Sequence, residues 1–567
     1  MSIGIDLGTT FSCVAYYQNG QVNILENENG CRTTPSVLAV GEDGDLLIGQ
    51  HAKDVIGKAT NSLFDVKRII GRRYDDVLLQ RDMPLWPFKV EKDDNGIPYL
   101  EIHKNEKPLK FSAVTVSSLI LRCLKYNAER KLGLEVKSAV ITVPAYFNAT
   151  QRRATEEAAE IAGLKVLRIL NEPTAAAIAY SLKGQRLSRR NILIYDLGGG
   201  TFDVAAVNVD GPRITVKAKG GDTHLGGQDI DNIIMIKMLE EFKNRHGIDL
   251  KGNYRALKRI RKAAEVAKIT LSASSVARIE LECLHLGIDF IMRISRTDFE
   301  SWIENLLMAT VIHVERVIRE ANLKKSQINE IVLVGGSTRI PILKNIIKQS
   351  FESNTRICES IHPDEAVAYG AAIMAAVLSG AEEVQDMRLI DVIPMSIGVQ
   401  CNRDYMSVLI KKGTVFPCTK RKTFINSDDF QTSINVPVYE GSALPKVQEI
   451  LSNVDNLGVE EVLSKLNGLV PGLGDELENL ITTVLNLIEQ LLKEVADILQ
   501  SLPDVLGELS KIVDDQNLTS VEKNDAINQL KGTNKIELNT IIFIIAQLLN
   551  GGALPEHPEL PPTPINV

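Results

Sequence analysis

The sequence predicts an α/β fold in which two related lobes face each other. Strand-like and helical segments alternate over residues 1 to about 190, and the alternation restarts at about residue 191. A glycine turn after a β-branched run also occurs twice, as Asp6-Leu-Gly-Thr-Thr10 and as Asp196-Leu-Gly-Gly-Gly-Thr201. A pattern that restarts with a second copy of the same turn indicates two lobes of related structure.

Each lobe is predicted to be built around one of these turns. The strands of the first lobe are predicted at Ile3–Leu7, Cys13–Tyr17 and Ser138–Thr142, and its helices at Val114–Leu132 and Thr150–Ala162. Those of the second lobe are predicted at Ile192–Tyr195 and Asp203–Val209 (strands) and at Gln228–Arg245, Tyr254–Leu271 and Arg296–Ala321 (helices). A further buried strand, Ile328–Val334, ends in Gly335-Gly336 before a helix that begins at Pro341. A glycine turn between a strand and a helix favours binding of a nucleotide base.

The paired glycine turns predict a phosphate-binding cleft. Glycine has no Cβ, so consecutive backbone N–H groups can converge on phosphate oxygens. Asp196 and Asp203 lie on either side of the second turn and can hold a hydrated cation that neutralises those oxygens. The alternative, that each turn is an ordinary hairpin turn, accounts less well for two copies at corresponding positions.

The bulk properties of the chain indicate an ordinary soluble protein. Its 567 residues are too many for one core, so about two to four domains are expected. The net charge of −8 argues against a nucleic-acid or anionic-membrane partner. The seven cysteines have no CxxC spacing, which favours free thiols in a reducing compartment. A strand follows Met1 at once and the longest apolar run is Ile541–Ala546, so we expect a cytoplasmic location, with the nucleus as an alternative.

Six motifs follow one another along the chain. They are Gly4-Ile-Asp-Leu-Gly-Thr-Thr10, Ile141-Thr-Val-Pro-Ala-Tyr-Phe147, Asn171-Glu-Pro-Thr-Ala-Ala-Ala177, Asp196-Leu-Gly-Gly-Gly-Thr-Phe-Asp203, Gly221-Asp-Thr-His-Leu-Gly-Gly227 and Gly335-Gly-Ser-Thr-Arg-Ile-Pro341. Together they resemble the seventy-kilodalton heat-shock protein (Hsp70) family of the actin-like ATPase superfamily. The resemblance implies a two-lobed actin-like (ribonuclease-H-like) ATPase domain at 1–380, with lobe I at about 1–187 and lobe II at about 188–380. It also implies an interdomain linker at 381–391 and a truncated peptide-binding β segment at 392–445, and it ends after Gly441.

The resemblance implies that the cleft binds ATP or ADP with Mg²⁺, with K⁺ as a further candidate ion. Lys67 is expected to orient the attacking water. The residues expected to assist it are Glu172, Asp196 and Thr201. The residues expected to face the metal through waters are Asp6, Asp196 and Asp203. The expected phosphate-binding residues are Gly8, Thr9, Thr10, Phe11, Gly198, Gly199, Gly200 and Thr201. The residues expected around adenosine are Glu265, Lys268, Ser272, Gly335, Gly336, Ser337, Arg339 and Asp364.

The family also implies a route from the nucleotide to other domains and partners. Pro144 and Arg152 resemble the lever between nucleotide and linker, and Arg168 lies where J-domain co-chaperones are expected to bind. The other implied partners are nucleotide exchange factors and unfolded or nascent polypeptides. No nucleic-acid or membrane partner is expected.

Two departures from the family pattern affect these expectations. Ile269 stands where the family usually has an arginine that stacks on adenine, so ATP should bind more weakly by about 1 kcal/mol. In the linker, Arg388 interrupts the apolar residues Met387, Leu389 and Ile390. A charge at a buried position should weaken docking of the linker.

Residues 392–441 resemble only the first half of the peptide-binding β-sandwich. Strands are predicted at Met406–Ile410, Thr423–Asn426 and Ile434–Tyr439. Phe424 and Ile434 match positions that line the central peptide pocket, whereas the arch positions Asn402 and Ser427 are polar. The second half of the sandwich is absent, so a complete peptide clamp is not expected.

The segment 446–550 differs in kind from the rest of the chain. It has no arginine, one aromatic residue (Phe543), and leucine and isoleucine at recurrent helical spacings. A small acidic bundle of about four or five helices is predicted, in preference to a partner-recruiting helical surface, because leucine stripes usually form cores. The proline-rich residues 551–567 are expected to be disordered. An alternative is that two genes are joined near Gly441–Lys446, which a peptide spanning Gly441–Glu449 would exclude.

Two functions of different classes follow from these features. The first is an ATP-dependent Hsp70-type chaperone that hydrolyses ATP to control the binding of unfolded polypeptides. The second is a nucleotide-dependent regulatory or scaffold protein with no effective peptide clamp, in which the helical tail serves targeting. Sugar kinases share the fold, but no sugar-hydroxyl base is evident and the motif set argues against them.

Overall fold

The computed structural model describes residues 1–41, 43–54, 61–104, 107–183, 189–351, 355–358, 362–401, 405–425, 431 and 433–441. The chain divides into two compact units, Met1–Leu444 and Pro445–Val567, and the described residues all belong to the first. The predictions for Asn402, Ser427 and residues 446–567 lie outside the described residues.

The first lobe contains the first glycine turn. Its strands are β1 (Ser2–Asp6), β2 (Phe11–Gln18), β3 (Gln21–Leu25), β4 (Thr34–Pro35), β5 (Leu38–Val40), β6 (Leu46–Ile48), β7 (Ser62–Leu63), β8 (Lys89–Lys92), β9 (Pro98–Lys104), β10 (Lys107–Ser112), β11 (Ser138–Val143) and β12 (Lys165–Asn171). Its helices are α1 (Gln50–Lys53), α2 (Val77–Asp82), α3 (Ala113–Leu132), α4 (Ala149–Ile161) and α5 (Glu172–Lys183), with 3₁₀ turns at Val66–Arg68 and Met83–Leu85.

The second lobe contains the second glycine turn. Its strands are β13 (Arg190–Leu197), β14 (Phe202–Asp210), β15 (Arg213–Asp222), β16 (Val276–His285), β17 (Ile288–Ser295), β18 (Glu330–Val334) and β19 (Arg356–Cys358). Its helices are α6 (Gly227–His246), α7 (Tyr254–Ala273), α8 (Arg296–Glu320), α9 (Pro341–Ser350) and α10 (Ala366–Leu378), with 3₁₀ turns at Lys325–Gln327 and Gly336–Arg339.

The segment after the lobes contains a 3₁₀ turn at Glu382–Val384 and short strands. These strands are β20 (Arg388–Val392), β21 (Ile397–Cys401), β22 (Tyr405–Ile410), β23 (Val415–Phe416) and β24 (Val438–Glu440). No helix among the described residues has both the length and the apolar character needed to cross a bilayer.

The central sheets of the two lobes share one plan. In the first lobe the order is β12-β11-β1-β2-β3, and in the second it is β19-β18-β13-β14-β15, extended by β20 and β23. In each, the strand before the glycine turn pairs in parallel with a later strand on one side. On the other side it pairs antiparallel with the strand after the turn. The α/β prediction is therefore confirmed, and the glycine turns occupy the same place in both sheets.

Helix α10 joins the two lobes. It follows β19 of the second lobe along the chain, yet it packs against β1 and α5 of the first. A Cβ on Gly4 would lie 2.1 Å from the backbone nitrogen of Ala372, and one on Gly370 would lie 1.8 Å from the carbonyl oxygen of Ala175. Glycine and alanine at these contacts let the backbones approach closely, which fixes α10 between the lobes.

The predicted linker contributes strand β20 to the second sheet, between β15 and β23. β20 pairs in parallel with β15, with Arg388 beside Arg213 and Ile390 beside Thr215. The side chain of Arg388 is exposed, and its guanidinium donates to the carbonyl oxygens of Gln385 (2.7 Å) and Met387 (3.2 Å). The prediction that Arg388 places a charge at a buried position is therefore wrong, because Arg388 begins β20 at its exposed end and the strand becomes buried only at Asp391 and Val392.

The β segment forms a small sheet in the order β22-β21-β24. The strand predicted at Met406–Ile410 is present, but Thr423–Ile425 is not in a strand and Ile434 precedes β24. Phe424 and Ile434, expected to line a peptide pocket, are 45% and 61% exposed. This exposure is what is expected of an apolar face that has lost half of its core.

Candidate active site

The two glycine turns meet face to face between the lobes. A Cβ on Gly199 would lie 2.1 Å from Oγ1 of Thr10, and one on Gly200 would lie 2.6 Å from Oγ1 of Thr9. Any residue other than glycine would push the turns apart. The structure thus brings together residues that are about 190 positions apart in sequence, as the two-lobe interpretation requires.

The carbonyl oxygens of the first turn are held by one serine. Ser36 donates its hydroxyl to the carbonyl of Gly8 (2.7 Å), and its N–H to the carbonyl of Thr10 (2.9 Å). In a planar trans peptide, the C=O of one residue and the N–H of the next point in opposite directions. Holding the carbonyls from behind therefore leaves the N–H groups of Thr9 and Phe11 available to an anion.

The second turn is held in the same way from the start of α6. The carbonyl of Gly198 accepts the N–H of Gly227 (2.9 Å), and the carbonyl of Gly199 accepts the N–H of Gln228 (2.8 Å). The hydroxyl of Ser337 also donates to Gly198 (3.0 Å). Buried Oγ1 of Thr10 has no hydrogen-bond partner. An unpaired hydroxyl beside oriented N–H groups fits the oxygens of a phosphate.

Lys67 and four carboxylates form the polar centre of the cleft. Nζ of Lys67 lies 2.5 Å from Oε1 of Glu172, and both side chains are buried. Asp6, at the end of β1, accepts a hydrogen bond from Thr142 (3.2 Å). Asp203, at the start of β14, accepts the N–H of Ala145 (2.8 Å). Asp196 lies next to the last residue of β13 and is 6% exposed.

The charges of this centre are out of balance. Burial, and next the charge of Glu172, raise the pKa of Asp6 to about 7. Burial and the same neighbour also raise the pKa values of Asp196 and Asp203 well above the usual range. Burial lowers the pKa of Lys67, but Glu172 and Asp6 outweigh it and the net direction is upward. Excess buried negative charge fits a divalent cation, which would favour the ionised carboxylates.

The carboxylates suit a cation that keeps its water shell. Among the described residues, no group of three or more His, Cys, Asp or Glu side chains is arranged to hold an ion directly. Mg²⁺ retains several waters and is commonly held by few carboxylates together with phosphate oxygens. Asp6, Asp196 and Asp203 therefore fit hydrated Mg²⁺ rather than a closed metal cage.

The residues expected around adenosine lie on α7 and after β18. On α7, Glu265 pairs with Lys53 of the first lobe (2.8 Å), and Lys268 pairs with Asp231 (2.8 Å). The hydroxyl of Ser272 donates to the backbone of Lys268 (3.0 Å), and Ile269 is 61% exposed. The carboxylate of Glu265 therefore pairs with the first lobe, and the ammonium of Lys268 pairs within the second.

The opposite wall of the adenosine region is the turn after β18. Gly335 has φ of +82°, which favours glycine, and a Cβ there would lie 2.2 Å from the carbonyl oxygen of Leu197. Gly336 lies against Asp364, whose carboxylate pairs with Arg339 (2.8 Å). This turn therefore packs directly on the strand that carries Asp196.

A cavity of about 130 Å³ lies between the lobes. It is lined by Thr9, Thr10 and Lys53 from the first lobe and by Gln228, Asp231 and Glu265 from the second, among others. Phe11, 40% exposed, lies beside Lys53, whose ammonium is 4.9 Å from the ring centroid. Thr9 and Thr10, predicted to bind phosphate, and Glu265, predicted to bind adenosine, thus line one cavity.

A chain of hydrogen bonds runs from Asp203 to the linker. The N–H of Ala145, next to Pro144, donates to Asp203, and the carbonyl of Ala145 accepts from Arg152 (2.9 Å). Arg152 also donates to Oδ1 of Asn171 (2.8 Å), whose amide donates to Asp391 in β20 (3.0 Å). Arg152, predicted to be a lever residue, thus lies in this chain between Asp203 and strand β20, and Pro144, the other predicted lever residue, adjoins it at Ala145.

Asp391 is also held by a buried lysine. Nζ of Lys219 lies 2.8 Å from Oδ1 of Asp391, and both side chains are buried. Thr174 donates to the other carboxylate oxygen (3.2 Å). Arg168 lies apart from this network, on β12, with its guanidinium 3.7 Å from the sulfur of Met374.

Sequence reasoning missed several residues that hold the site together. They are Ser36, Arg68, Asn171, Lys219, Asp229 and Asp391. Asn171 begins one of the six motifs, but no sequence pattern predicts its contact with Asp391, which is 220 positions away. Partners so distant in sequence leave no periodic signal, and only the folded sheets bring them together.

Comparison with known proteins finds similar sequences over most of the chain. Residues 2–462 match the family model described as Hsp70 protein, which extends beyond Gly441. A ribosome-associated molecular chaperone of Eremothecium gossypii is 47% identical over 464 residues, covering 81% of this chain and 75% of that protein. A ribosome-associated molecular chaperone of Saccharomyces cerevisiae is 46% identical over 445 residues (78% and 72%), and heat shock cognate 70 kDa protein 3 of Dictyostelium discoideum is 45% identical over 466 residues (81% and 74%).

The end of the chain matches a different family model. Residues 440–552 match the model described as SXP/RAL-2 family protein Ani s 5-like, metal-binding domain. This match covers most of the segment that the sequence pattern set apart as helical and acidic. It overlaps the first match between residues 440 and 462.

Proposed function

This chain belongs to the Hsp70 family, and from that membership we propose that the cleft between its lobes binds ATP and hydrolyses it to control the binding of unfolded polypeptides. Hsp70 proteins are ATP-hydrolysing chaperones with a two-lobed actin-like ATPase domain, and the chain is an ATPase of this type. The observation that carries the proposal is the Lys67–Glu172 pair, which lies beside buried Asp6, Asp196 and Asp203 where the two glycine turns meet.

Lys67 acts as a donor in this proposal rather than as a base. Its pKa is raised by Glu172 and Asp6 against the effect of burial, so its ammonium stays protonated near neutral pH. A protonated lysine can orient the attacking water and stabilise the charge that develops on the phosphoryl oxygens. Glu172 fixes the position of the ammonium, and the N–H groups of the glycine turns hold the phosphates.

Mg²⁺ with the nucleotide would complete the charge balance. Asp6, Asp196 and Asp203 would hold it through water, and it would supply neutralisation of the phosphate charge. Thr201 follows the glycines directly and is assigned to the phosphate and water side of the site. K⁺ is a second candidate ion for the same negatively charged cleft.

The proposed ATPase is tested by Lys67→Ala in the full-length chain. Hydrolysis under single-turnover conditions is expected to fall by about 100-fold or more, because a positioned donor is lost from the transition state, while ATP still binds. Lys137→Ala, which removes a lysine whose side chain is 72% exposed, is the matched control and should hydrolyse ATP normally. Equal rates for wild type and Lys67→Ala would reject the assignment.

We assign the coupling of the cleft to the linker to the hydrogen-bond chain from Asp203 through Ala145, Arg152 and Asn171 to Asp391. A ligand that changes the charge at Asp203 acts on the first member of this chain, and β20 carries the last. Two discrete linker states, docked and released, are the element that such a chain would bias.

The partners follow from the relatives. Two of them are named ribosome-associated molecular chaperones, and we assign nascent or unfolded polypeptides as the clients of this chain. J-domain co-chaperones near Arg168, and nucleotide exchange factors, are the proposed regulators. The proposed location is the cytoplasm, where ribosome-associated relatives would meet nascent chains.

A scaffold function remains the second candidate because of the β segment. Phe424 and Ile434 are exposed, and a different family model matches the chain from residue 440 onward. Fluorescence anisotropy of a labelled unfolded peptide separates the two functions. The chaperone predicts an affinity that differs between ATP and ADP, and the scaffold predicts no peptide binding with either nucleotide.

We also propose that the segment 440–552 binds a divalent cation. The support is its match to a family model described as a metal-binding domain, together with its acidic helical pattern. Calorimetric titration of Ca²⁺, Mg²⁺ and Zn²⁺ into the full-length chain without nucleotide, compared with residues 1–444, tests this assignment. Identical cation binding by the two proteins would reject it.

A further inference from the structure

Arg68 is a buried arginine that contacts three groups near the second glycine turn, through four acceptor atoms. It follows Lys67 in the 3₁₀ turn Val66–Arg68 and is 4% exposed. Its guanidinium donates to both carboxylate oxygens of Asp229 (3.1 and 2.6 Å) and lies 3.4 Å from Asp82. A second bond from Nη2 reaches the carbonyl oxygen of Gly200 (3.2 Å). One side chain therefore joins the element of Lys67 to the phosphate turn.

These contacts cross from one lobe to the other. Val66 and Ile69, which flank the Lys67–Arg68 pair, pack in the core of the first lobe, as does Leu79 of α2, the helix that ends at Asp82. Ile230, next to Asp229, and Phe202, after the second turn, pack in the core of the second lobe. The Arg68 guanidinium thus forms an ion pair and a backbone hydrogen bond across the cleft.

The bond to Gly200 completes the set of held carbonyls. The carbonyls of Gly198 and Gly199 are held by N–H groups from the start of α6, within the same lobe. The carbonyl of Gly200 is held from the other lobe. Because the C=O of Gly200 and the N–H of Thr201 belong to one planar peptide, the position of Arg68 sets the direction of the Thr201 N–H.

We propose that Arg68 is a positioning residue for ATP hydrolysis, which holds the Gly200–Thr201 peptide so that the Thr201 N–H faces the phosphates when the lobes are together. The inference rests on the proposed ATPase. It adds that the second glycine turn takes its phosphate-binding geometry only when Arg68 of the first lobe reaches Gly200. Arg68 touches no reacting group itself. It acts through the backbone N–H of Thr201, the last residue of the second glycine turn.

The geometry requires a guanidinium. Its planar fork reaches both oxygens of Asp229 while a nitrogen still donates to Gly200, whereas a lysine ammonium on a flexible stem cannot match that fork. Asp229 also accepts the N–H of Gly226 (2.8 Å), so the arginine, the turn and the start of α6 form one unit. His224 bonds the far oxygen of Asp82 (2.8 Å), which ties the remaining partner to the second lobe as well.

The test compares Arg68→Lys with Asp82→Asn in the full-length chain. Arg68→Ala would leave Asp229 without a buried counter-ion and would test folding, so the lysine variant is used. R68K is expected to hydrolyse ATP about 10- to 100-fold more slowly in single turnover, with an ATP dissociation constant within about threefold of wild type. D82N removes a charge partner of Arg68 but leaves the Gly200 contact, so its rate should stay within about twofold even if its melting temperature falls.

Three outcomes separate the possibilities. A slow R68K beside a normal D82N supports the positioning role. Wild-type rates in R68K, or rates in both variants that fall in proportion to their melting temperatures, overturn it in favour of a purely structural ion pair. A wild-type chain that hydrolyses no ATP rejects the proposed ATPase itself, and the role of Arg68 with it.

Discussion

At the scale of single residues, the main feature of the cleft is a group of carboxylates whose burial disfavours their ionised form. Asp6, Asp196 and Asp203 are buried close enough to Glu172 for their pKa values to rise, and Lys67 offsets this charge only in part. Ionised carboxylates in such a centre repel one another, and a bound cation would offset this repulsion. The excess of negative charge thus explains why the same cleft should bind Mg²⁺ and a nucleotide together.

Asp6 gives this idea a measurable pH dependence. Its pKa is raised from 3.8 to about 7, first by burial, so the neutral carboxyl is favoured in the folded protein. Its contribution to stability is complete below the unfolded value and is lost as the pH rises through the folded value. Without Mg²⁺ and nucleotide, the melting temperature should therefore fall as the pH is raised from about 5 to about 8.

Differential scanning calorimetry of wild type and Asp6→Asn checks this dependence. The variant cannot ionise at this position and should show a smaller fall over the same pH range. Mg²⁺ with ADP should reduce the fall in the wild type, because the cation favours the ionised form. Equal slopes for the two proteins without the cation would contradict the assigned charge imbalance.

Ile269 is the position where the sequence analysis predicts a departure from the family pattern in the proposed adenosine site. Replacing it with arginine should tighten ATP binding by about 1 kcal/mol, or about fivefold, if a guanidinium can stack on the base. Isothermal titration of ATP with Mg²⁺ measures the change. Ile269→Gln, a long uncharged side chain at the same exposed position, is the control and should gain little. A glutamine variant that binds as tightly as the arginine variant would count against stacking.

At the scale of elements, the docked linker depends on a buried ion pair and not on its exposed arginine. Asp391 of β20 pairs with Lys219 of β15, whose pKa is lowered by burial. Removing one partner of such a pair leaves an uncompensated buried charge, which costs about 3–5 kcal/mol. Asp391→Ala should therefore release β20 from β15.

Hydrogen–deuterium exchange of residues 388–392 in the ATP-bound chain measures this release. Asp391→Ala should exchange faster in this segment, whereas Arg388→Ala should match wild type, because its side chain faces solvent and bonds only its own turn. Fast exchange in both variants would restore the view that Arg388 matters for docking. Slow exchange in both would show that the strand ladder alone holds the linker.

The elements themselves were largely predictable from the sequence, and the reason is local. Helices such as α3 and α7 carry their periodicity and their N-caps within a few residues, and the predicted bounds fall within about two residues of the observed ones. The strand expected at Thr423–Asn426 was not formed over its described residues. Its apolar alternation needs partner strands to become a ladder, and among the described residues no strand pairs with it.

At the scale of the whole molecule, sequence reasoning reached the two lobes and the glycine turns but not the contacts between them. The turns can be recognised from their glycines, since few other residues let the two turns approach each other so closely. Arg68 and Asp229 are 161 positions apart, and Lys219 and Asp391 are 172 apart. Contacts of this kind depend on how two sheets are set against α5 and α10, which no local pattern encodes.

The molecule combines an Hsp70 ATPase unit with an end segment that matches another family. Residues 2–462 follow the Hsp70 model, and residues 440–552 follow a model described as metal-binding. The ATP switch is therefore expected to work through the linker on a β segment whose apolar residues Phe424 and Ile434 are exposed. Whether unfolded polypeptide engages that segment is the point on which chaperone and scaffold differ.

The most direct test is single-turnover ATP hydrolysis by the full-length chain with and without a permanently unfolded polypeptide. The account predicts hydrolysis that requires Lys67 and that the polypeptide accelerates several-fold, because the hydrogen-bond chain from Asp203 to Asp391 joins the cleft to the strand that precedes the β segment. An absence of hydrolysis above the Lys67→Ala background would contradict the central claim that this cleft is an Hsp70 ATPase. Hydrolysis that the polypeptide leaves unchanged would contradict its coupling to clients.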